Sequence, residues 1–136
     1  IEFVREVGGV KYYNDSKGTN PDAAIKAVEA MVTPTVVIGG GYDKQSSYEE
    51  WIASFGDKVK CLVLLGATAD KIEATARKAG FTNIVRVGSL KEAVEASAVQ
   101  AQSGDAVLLS PACASWDMFK SYEQRGTLFK EYVNQL

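Results

Sequence analysis

Short apolar runs alternating with amphipathic stretches predict an α/β domain. The expected form is an open, mostly parallel Rossmann-like sheet with helices on both faces, extended by an N-terminal β-hairpin that adds an antiparallel edge strand. Three observations carry the prediction. The runs Thr35–Ile38, Cys61–Leu65, Ile84–Val87 and Ala106–Leu109 are apolar nearly throughout rather than alternating, as strands buried on both faces require. The stretches between them repeat apolar residues at the spacing of one helix face. Ahead of them, Ile1 to Val7 and Val10 to Tyr13 flank Gly8-Gly9, the signature of a hairpin with a two-residue turn.

The elements follow in order. After the hairpin, Asn20 suits a helix N-cap and Pro21 its first position; the helix is read through DAAIKAVEAMV. Tyr48, Trp51, Ile52 and Phe55 form the stripe of a second helix, with Ser46 and Glu49 spaced as a capping box. Ala69, Ile72, Ala76 and Ala79 mark a third, with Gly80 at the C-cap position. Leu90, Val94, Ala98 and Ala101 mark a fourth, with Ser89 and Glu92 as its capping box. After the last strand, Arg125-Gly126 interrupts an apolar stripe, which predicts two consecutive C-terminal helices, the second capped by Thr127.

The 136 residues suit a single domain, 1–136, and 46% hydrophobic content is enough for a core. A net charge of −2 provides no basic field for nucleic acid. No apolar run has membrane-spanning length, and no signal peptide is visible. The first residue is Ile1, so a piece of a longer protein is expected. Cys61 and Cys113 do not make a disulfide framework, which favours a cytoplasmic origin. There is no histidine, so the commonest general base and metal ligand is missing.

In open α/β sheets, ligands bind beyond the carboxyl ends of the strands, where helix N-termini favour anions. Three loops at those positions carry chemistry. The first, NDSKGTNP (14–21), is explained by capping only at Asn20 and Pro21; Asp15, Ser16, Lys17 and Thr19 remain. The second, GGGYDK (39–44), pairs three glycines, which permit close approach to a ligand, with a lysine. The third, SPACAS (110–115), is built of small residues, and Ser115 there could cap a helix and donate to a ligand. Cys113 is read as a packing residue, because no histidine is present to activate it. The Gly66–Ala69 and Gly88-Ser89 exits are explained by turns and caps.

Together, YNDSKGTNPDA, GGGYDK and LLSPACASWDMFKSYEQRG resemble the C-terminal domain of the Mur ligases of peptidoglycan synthesis, in their D-glutamate-adding branch. The likeness runs from about Phe3 to the end of the chain. Gly18 stands where alanine is frequent, and Trp116 where leucine or phenylalanine is frequent. The resemblance implies a domain of a three-domain ligase, which works with its own N-terminal and central domains. ATP phosphorylates the carboxylate of UDP-N-acetylmuramoyl-L-alanine, and the amine of D-glutamate attacks the acyl phosphate. The central domain holds most of the ATP and Mg2+. On this chain the resemblance assigns Thr19, Lys44, Ser115 and Tyr122 to D-glutamate, and Asp15 and Lys17 to the nucleotide. It implies no catalytic residue and no metal ligand in this segment taken alone. A non-catalytic nucleotide- or amino-acid-binding module and the related folate polyglutamylation ligase are the alternatives. Lys17 and Thr19 argue against the folate enzyme.

Overall fold

The computed structural model describes residues 1–136. One sheet contains β1 (Glu2–Val7), β2 (Val10–Asn14), β3 (Thr35–Gly39), β4 (Val59–Leu64), β5 (Ile84–Arg86) and β6 (Ala106–Leu109), in the order β1-β2-β6-β3-β4-β5. Only the β1–β2 pair is antiparallel, and β1 is an edge strand as expected. Gly8 and Gly9 close the hairpin at φ 58° and 79°.

Helices α1 (Pro21–Ala30), α2 (Glu49–Ala53) and α3 (Ala69–Lys78) cover one face; α4 (Leu90–Gln100) and α5 (Tyr122–Asn134) cover the other. The pleat assigns the strand residues between them. Val37, Leu62, Leu64 and Leu108 pack with Trp51, Phe55 and Ile72. Val36, Ile38, Val63, Val107 and Leu109 pack with Phe129 and Val133. Both faces are therefore core, and this is why the strand sequences do not alternate. Cys61 is a buried free thiol.

The winding sets the place of the site. β3, β4 and β5 follow one another outward, and α4 then carries the chain back to insert β6 between β2 and β3. At such a reversal, adjacent strand exits diverge and leave a crevice.

Local signals held at two helix starts. Asn20 accepts from the Ala23 N–H at 2.9 Å, with Pro21 as the first helical residue. Ser89 accepts from the Glu92 N–H at 3.1 Å. Three expectations are corrected. The Ser46–Glu49 box does not form: Tyr48 occupies the N-cap of α2, and the Glu49 N–H reaches Ser47 Oγ at 3.4 Å instead. No helix begins at Ser115, whose carbonyl accepts from the Met118 and Phe119 N–H groups in a turn. The C-terminal region is one helix rather than two. Ser121 caps it by accepting from the Gln124 N–H at 3.1 Å, and Thr127 lies inside it. The apolar stripe breaks at Arg125-Gly126 because that part of α5 faces the polar first loop, not because the helix ends.

Candidate substrate site

The sheet order brings the exits of β2, β6, β3 and β4 side by side, so loops far apart in sequence meet. Ser110 Oγ donates to the Asp15 carboxylate at 2.8 Å, and the Ala112 N–H donates to the Gly18 carbonyl at 3.0 Å. These bonds join the third loop to the first. The Tyr42 N–H donates to the Ala114 carbonyl at 2.8 Å, joining the second to the third. Asp117 accepts from the Ala67 N–H at 3.0 Å, which brings in the exit of β4.

The glycines of the second loop serve this convergence. Gly40 has φ +109°, and a Cβ there would sit 2.0 Å from the Leu65 carbonyl oxygen. A Cβ on Gly41 would sit 2.4 Å from the Ala114 oxygen. Close approach is thus needed between neighbouring strand exits, where the sequence suggested approach to a ligand. Gln45 and Ala112, at φ 63° and 62°, are the two non-glycine residues with left-handed backbone; Ala112 lies in the third loop and Gln45 directly follows the second. Each costs on the order of 1–3 kcal/mol, and such strain clusters at functional sites.

Thr19, Lys44, Ser115 and Tyr122 line one cavity of 290 Å³, together with Trp116 and Lys120. Asp15 and Lys17 line a neighbouring cavity of 420 Å³, which Tyr122 and Glu123 also border. The first loop therefore presents Thr19 to one side and Asp15 and Lys17 to the other. Ser115 is buried, while Lys44 and Lys120 are exposed and neither ammonium is paired with a carboxylate. Trp116 packs against Tyr42 at a centroid distance of 5.3 Å and forms an exposed aromatic rim. A larger cavity of 660 Å³ lies at the opposite end of the sheet, beside Lys11, Met31 and Asp105. None of the three loops reaches it.

Beneath the loops lies Arg125, 3% exposed. Its Nε donates to Ser16 Oγ at 2.8 Å, its Nη2 to the Ser16 carbonyl at 2.7 Å, and its Nη1 to the Cys113 carbonyl at 3.1 Å. Ser16 Oγ in turn donates to the Tyr122 carbonyl at 2.7 Å. One guanidinium thus ties α5 to the first and third loops. Burial lowers its pKa to about 10, so it stays charged at neutral pH. Sequence reading missed this residue, taking it for the end of a helix. It also gave no role to Lys120 or to Thr68, whose Oγ1 accepts from the Gly41 N–H at 3.0 Å. A charged residue interrupting an apolar helical stripe was the available signal for Arg125.

No group of three or more His, Cys, Asp or Glu side chains could hold a metal ion. Magnesium therefore finds no ligand set among these residues. No helix is long and apolar enough to cross a membrane.

Fold and crevice together define a Rossmann-like α/β domain with a crevice at the switch point of its sheet. Residues 1–113 match the model of the Mur ligase, glutamate ligase domain family, and the chain belongs to that family. It is 62% identical over 136 residues to the UDP-N-acetylmuramoylalanine–D-glutamate ligase of Lachnoclostridium phytofermentans, and 60% identical to that of Lachnospira eligens. Each match covers 100% of this chain, and the chain spans 30% of the length of these relatives. Among solved structures, the UDP-N-acetylmuramate-alanine ligase of Thermotoga maritima aligns with a TM-score of 0.58 at 10% identity, over 94% of this chain and 27% of that one. The folylpolyglutamate synthase of Mycobacterium tuberculosis, complexed with ADP and AMPPCP, aligns with a TM-score of 0.63 at 11% identity, over 94% of this chain and 31% of that one. At these identities the structural likeness concerns the fold.

Proposed function

We propose that this chain is the amino-acid-binding, nucleotide-closing domain of a cytoplasmic UDP-N-acetylmuramoyl-L-alanine:D-glutamate ligase. One observation carries the reading: Thr19, Lys44, Ser115 and Tyr122, drawn from three strand exits and the start of α5, converge on one cavity of amino-acid size. D-Glutamate carries two carboxylates, and the cavity offers the unpaired ammoniums of Lys44 and Lys120 together with hydroxyls. Charge-assisted bonds of this kind supply both affinity and orientation. Lys44 and Thr19 hold one carboxylate, and Ser115 and Tyr122 bind the other end. In the adjacent cavity the Asp15 carboxylate accepts from a ribose hydroxyl, and the Lys17 ammonium faces phosphate.

In this scheme ATP converts the carboxylate of UDP-N-acetylmuramoyl-L-alanine to an acyl phosphate. The D-glutamate amine attacks that carbonyl, and the tetrahedral intermediate expels phosphate. The chain's own residues hold the amine in line for attack. Phosphoryl transfer, with ATP and Mg2+, belongs to the central domain of the whole ligase, and the UDP moiety to its N-terminal domain. The relatives at 60% and 62% identity are named as D-glutamate ligases, whereas folate enzymes are related at the level of fold, which favours this reading over folate polyglutamylation.

The test is Lys44→Ala in the full-length ligase. Losing one charge-assisted contact costs on the order of 1.5–3 kcal/mol, so the D-glutamate KM should rise about tenfold or more. Unchanged D-glutamate KM and kcat would refute the assignment.

A further inference from the structure

Cys113 was expected to be a packing residue, and it is 1% exposed. Its sulfur nevertheless lies 3.3 Å from Thr68 Oγ1 and 3.3 Å from Tyr48 Oη. Those two hydroxyls are themselves engaged. Thr68 Oγ1 accepts from the Gly41 N–H at 3.0 Å, and Tyr48 Oη lies 3.3 Å from Asp43 Oδ1. Thr68 and Tyr48 are both buried.

Only one arrangement of protons puts a hydrogen in every contact. The Asp43 carboxylate can only accept, so the Tyr48 hydroxyl donates to it. The Cys113 S–H must then donate to Tyr48 Oη, and the Thr68 O–H to the sulfur. The result is a one-way chain from the Gly41 N–H through Thr68, Cys113 and Tyr48 to Asp43. The protonation states agree with it. Burial pushes the Cys113 and Tyr48 pKa values up. Burial would also raise that of Asp43, but hydrogen bonds from Lys71 and the Gln45 N–H outweigh it and hold the carboxyl below its ordinary value.

The chain leaves the second loop at Gly41 and returns to it at Asp43, passing through the β4 exit, the third loop and α2. Asp43 adjoins Lys44. Its Oδ1 also accepts from the Gln45 N–H at 2.9 Å, and its Oδ2 pairs with Lys71 at 3.2 Å. The backbone on both sides of Lys44 is therefore pinned, although the lysine itself has no partner.

We propose that the Thr68–Cys113–Tyr48–Asp43 chain is a positioning device that fixes Lys44 over the amino-acid cavity, with the Cys113 thiol as the joint between the second and third loops. This rests on the reading that Lys44 binds a substrate carboxylate. Cysteine suits the joint because it donates once and accepts once. Alanine breaks the chain on both sides, whereas serine keeps a donor and an acceptor.

Steady-state kinetics of the full-length ligase tests it, with Cys113→Ala, Cys113→Ser and Tyr48→Phe made alone and on a Lys44→Ala background. Breaking the chain at either residue should raise the D-glutamate KM about three- to tenfold in Cys113→Ala and Tyr48→Phe, since only part of the lost bonding reaches Lys44. The kcat and the ATP KM should stay near their parental values, and Cys113→Ser should restore most of the D-glutamate KM. On the Lys44→Ala background, Cys113→Ala should add nothing. If Lys44→Ala raises the D-glutamate KM but Cys113→Ala and Tyr48→Phe do not, the positioning role falls and the reading of the cavity stands. Additive effects on the Lys44→Ala background, or no rescue by serine, also overturn the role. If Lys44→Ala changes nothing, the reading of the cavity is what fails.

Discussion

Replacing Arg125 with methionine should lower the melting temperature of the domain by about 10 °C. The guanidinium is 3% exposed and serves Ser16 Oγ, the Ser16 carbonyl and the Cys113 carbonyl at 2.7–3.1 Å. Methionine fills much of the same space and donates to none of them. Three buried acceptors losing their donor, at about 2 kcal/mol each, cost about 6 kcal/mol. Part of this is returned, because a buried charge is also removed. Burial holds the Arg125 pKa at about 10 against an ordinary 12.5, a gap equivalent to about 3 kcal/mol. The net loss is about 3 kcal/mol. With an unfolding entropy of about 2.1 cal/mol/K per residue, each kcal/mol moves a domain of this length by about 3.5 °C. Circular dichroism melts of the 136-residue chain and its Arg125→Met variant would measure the difference, with Arg125→Lys expected between them. A methionine variant melting within about 2 °C of the parent would refute the clamp, because the bonds and the burial cost would then cancel.

Lys120→Ala should raise the D-glutamate KM about fivefold, the loss of one solvent-exposed charge contact of up to about 1 kcal/mol; an unchanged KM in full-length kinetics would remove Lys120 from the cavity's charge set. Gly40→Ala should destabilise the domain by on the order of 4 kcal/mol or more, since its Cβ would meet backbone 2.0 Å away, and a near-parental melt would contradict that geometry. The Lys60–Asp105 ion pair at 2.6 Å should contribute fully above about pH 4 and progressively less as the pH falls further. Burial raises the Asp105 pKa, but bonds from Lys60 and the Gln102 N–H lower it below 3.8 overall. The stability it contributes is therefore present above 3.8 and lost as pH falls through the lower folded value. Urea midpoints of the parent and Asp105→Asn should differ at pH 7 and converge in acid. The chain alone should hydrolyse ATP no faster than buffer, because no stretch matches a phosphate-binding G-x-x-x-x-G-K-[ST] loop; an ATPase activity abolished by Lys17→Ala would overturn this.

Strands were legible because burial on both faces leaves a one-dimensional trace: Val36, Val37 and Ile38 are all core, whichever side they point to. Helix starts were legible at Asn20 and Ser89, where a side chain does the capping, and not at α2, where none does; at α5 the Ser121 cap was passed over because Arg125-Gly126 was read as a break. The order of strands was not readable, since the insertion of β6 between β2 and β3 is set by packing among distant elements. Yet that order is what gathers the three loops. For the same reason Lys44 and Thr19 could be singled out as chemistry at strand exits, while Arg125 and the Cys113 contacts could not. A buried guanidinium and a thiol between two hydroxyls acquire meaning only from neighbours up to 109 residues away.

Tyr122 and Glu123 face both cavities, so the first turn of α5 is a party wall. A ligand filling one compartment presses on the same two side chains that bound the other. Any displacement of that wall alters two binding free energies at once, and thermodynamic linkage makes the exchange symmetrical. By whatever factor an occupant of the larger compartment changes affinity in the smaller, the second ligand must change the first by the same factor. The partition need not carry a signal along any route; it is enough that the two compartments have no separate walls at this point.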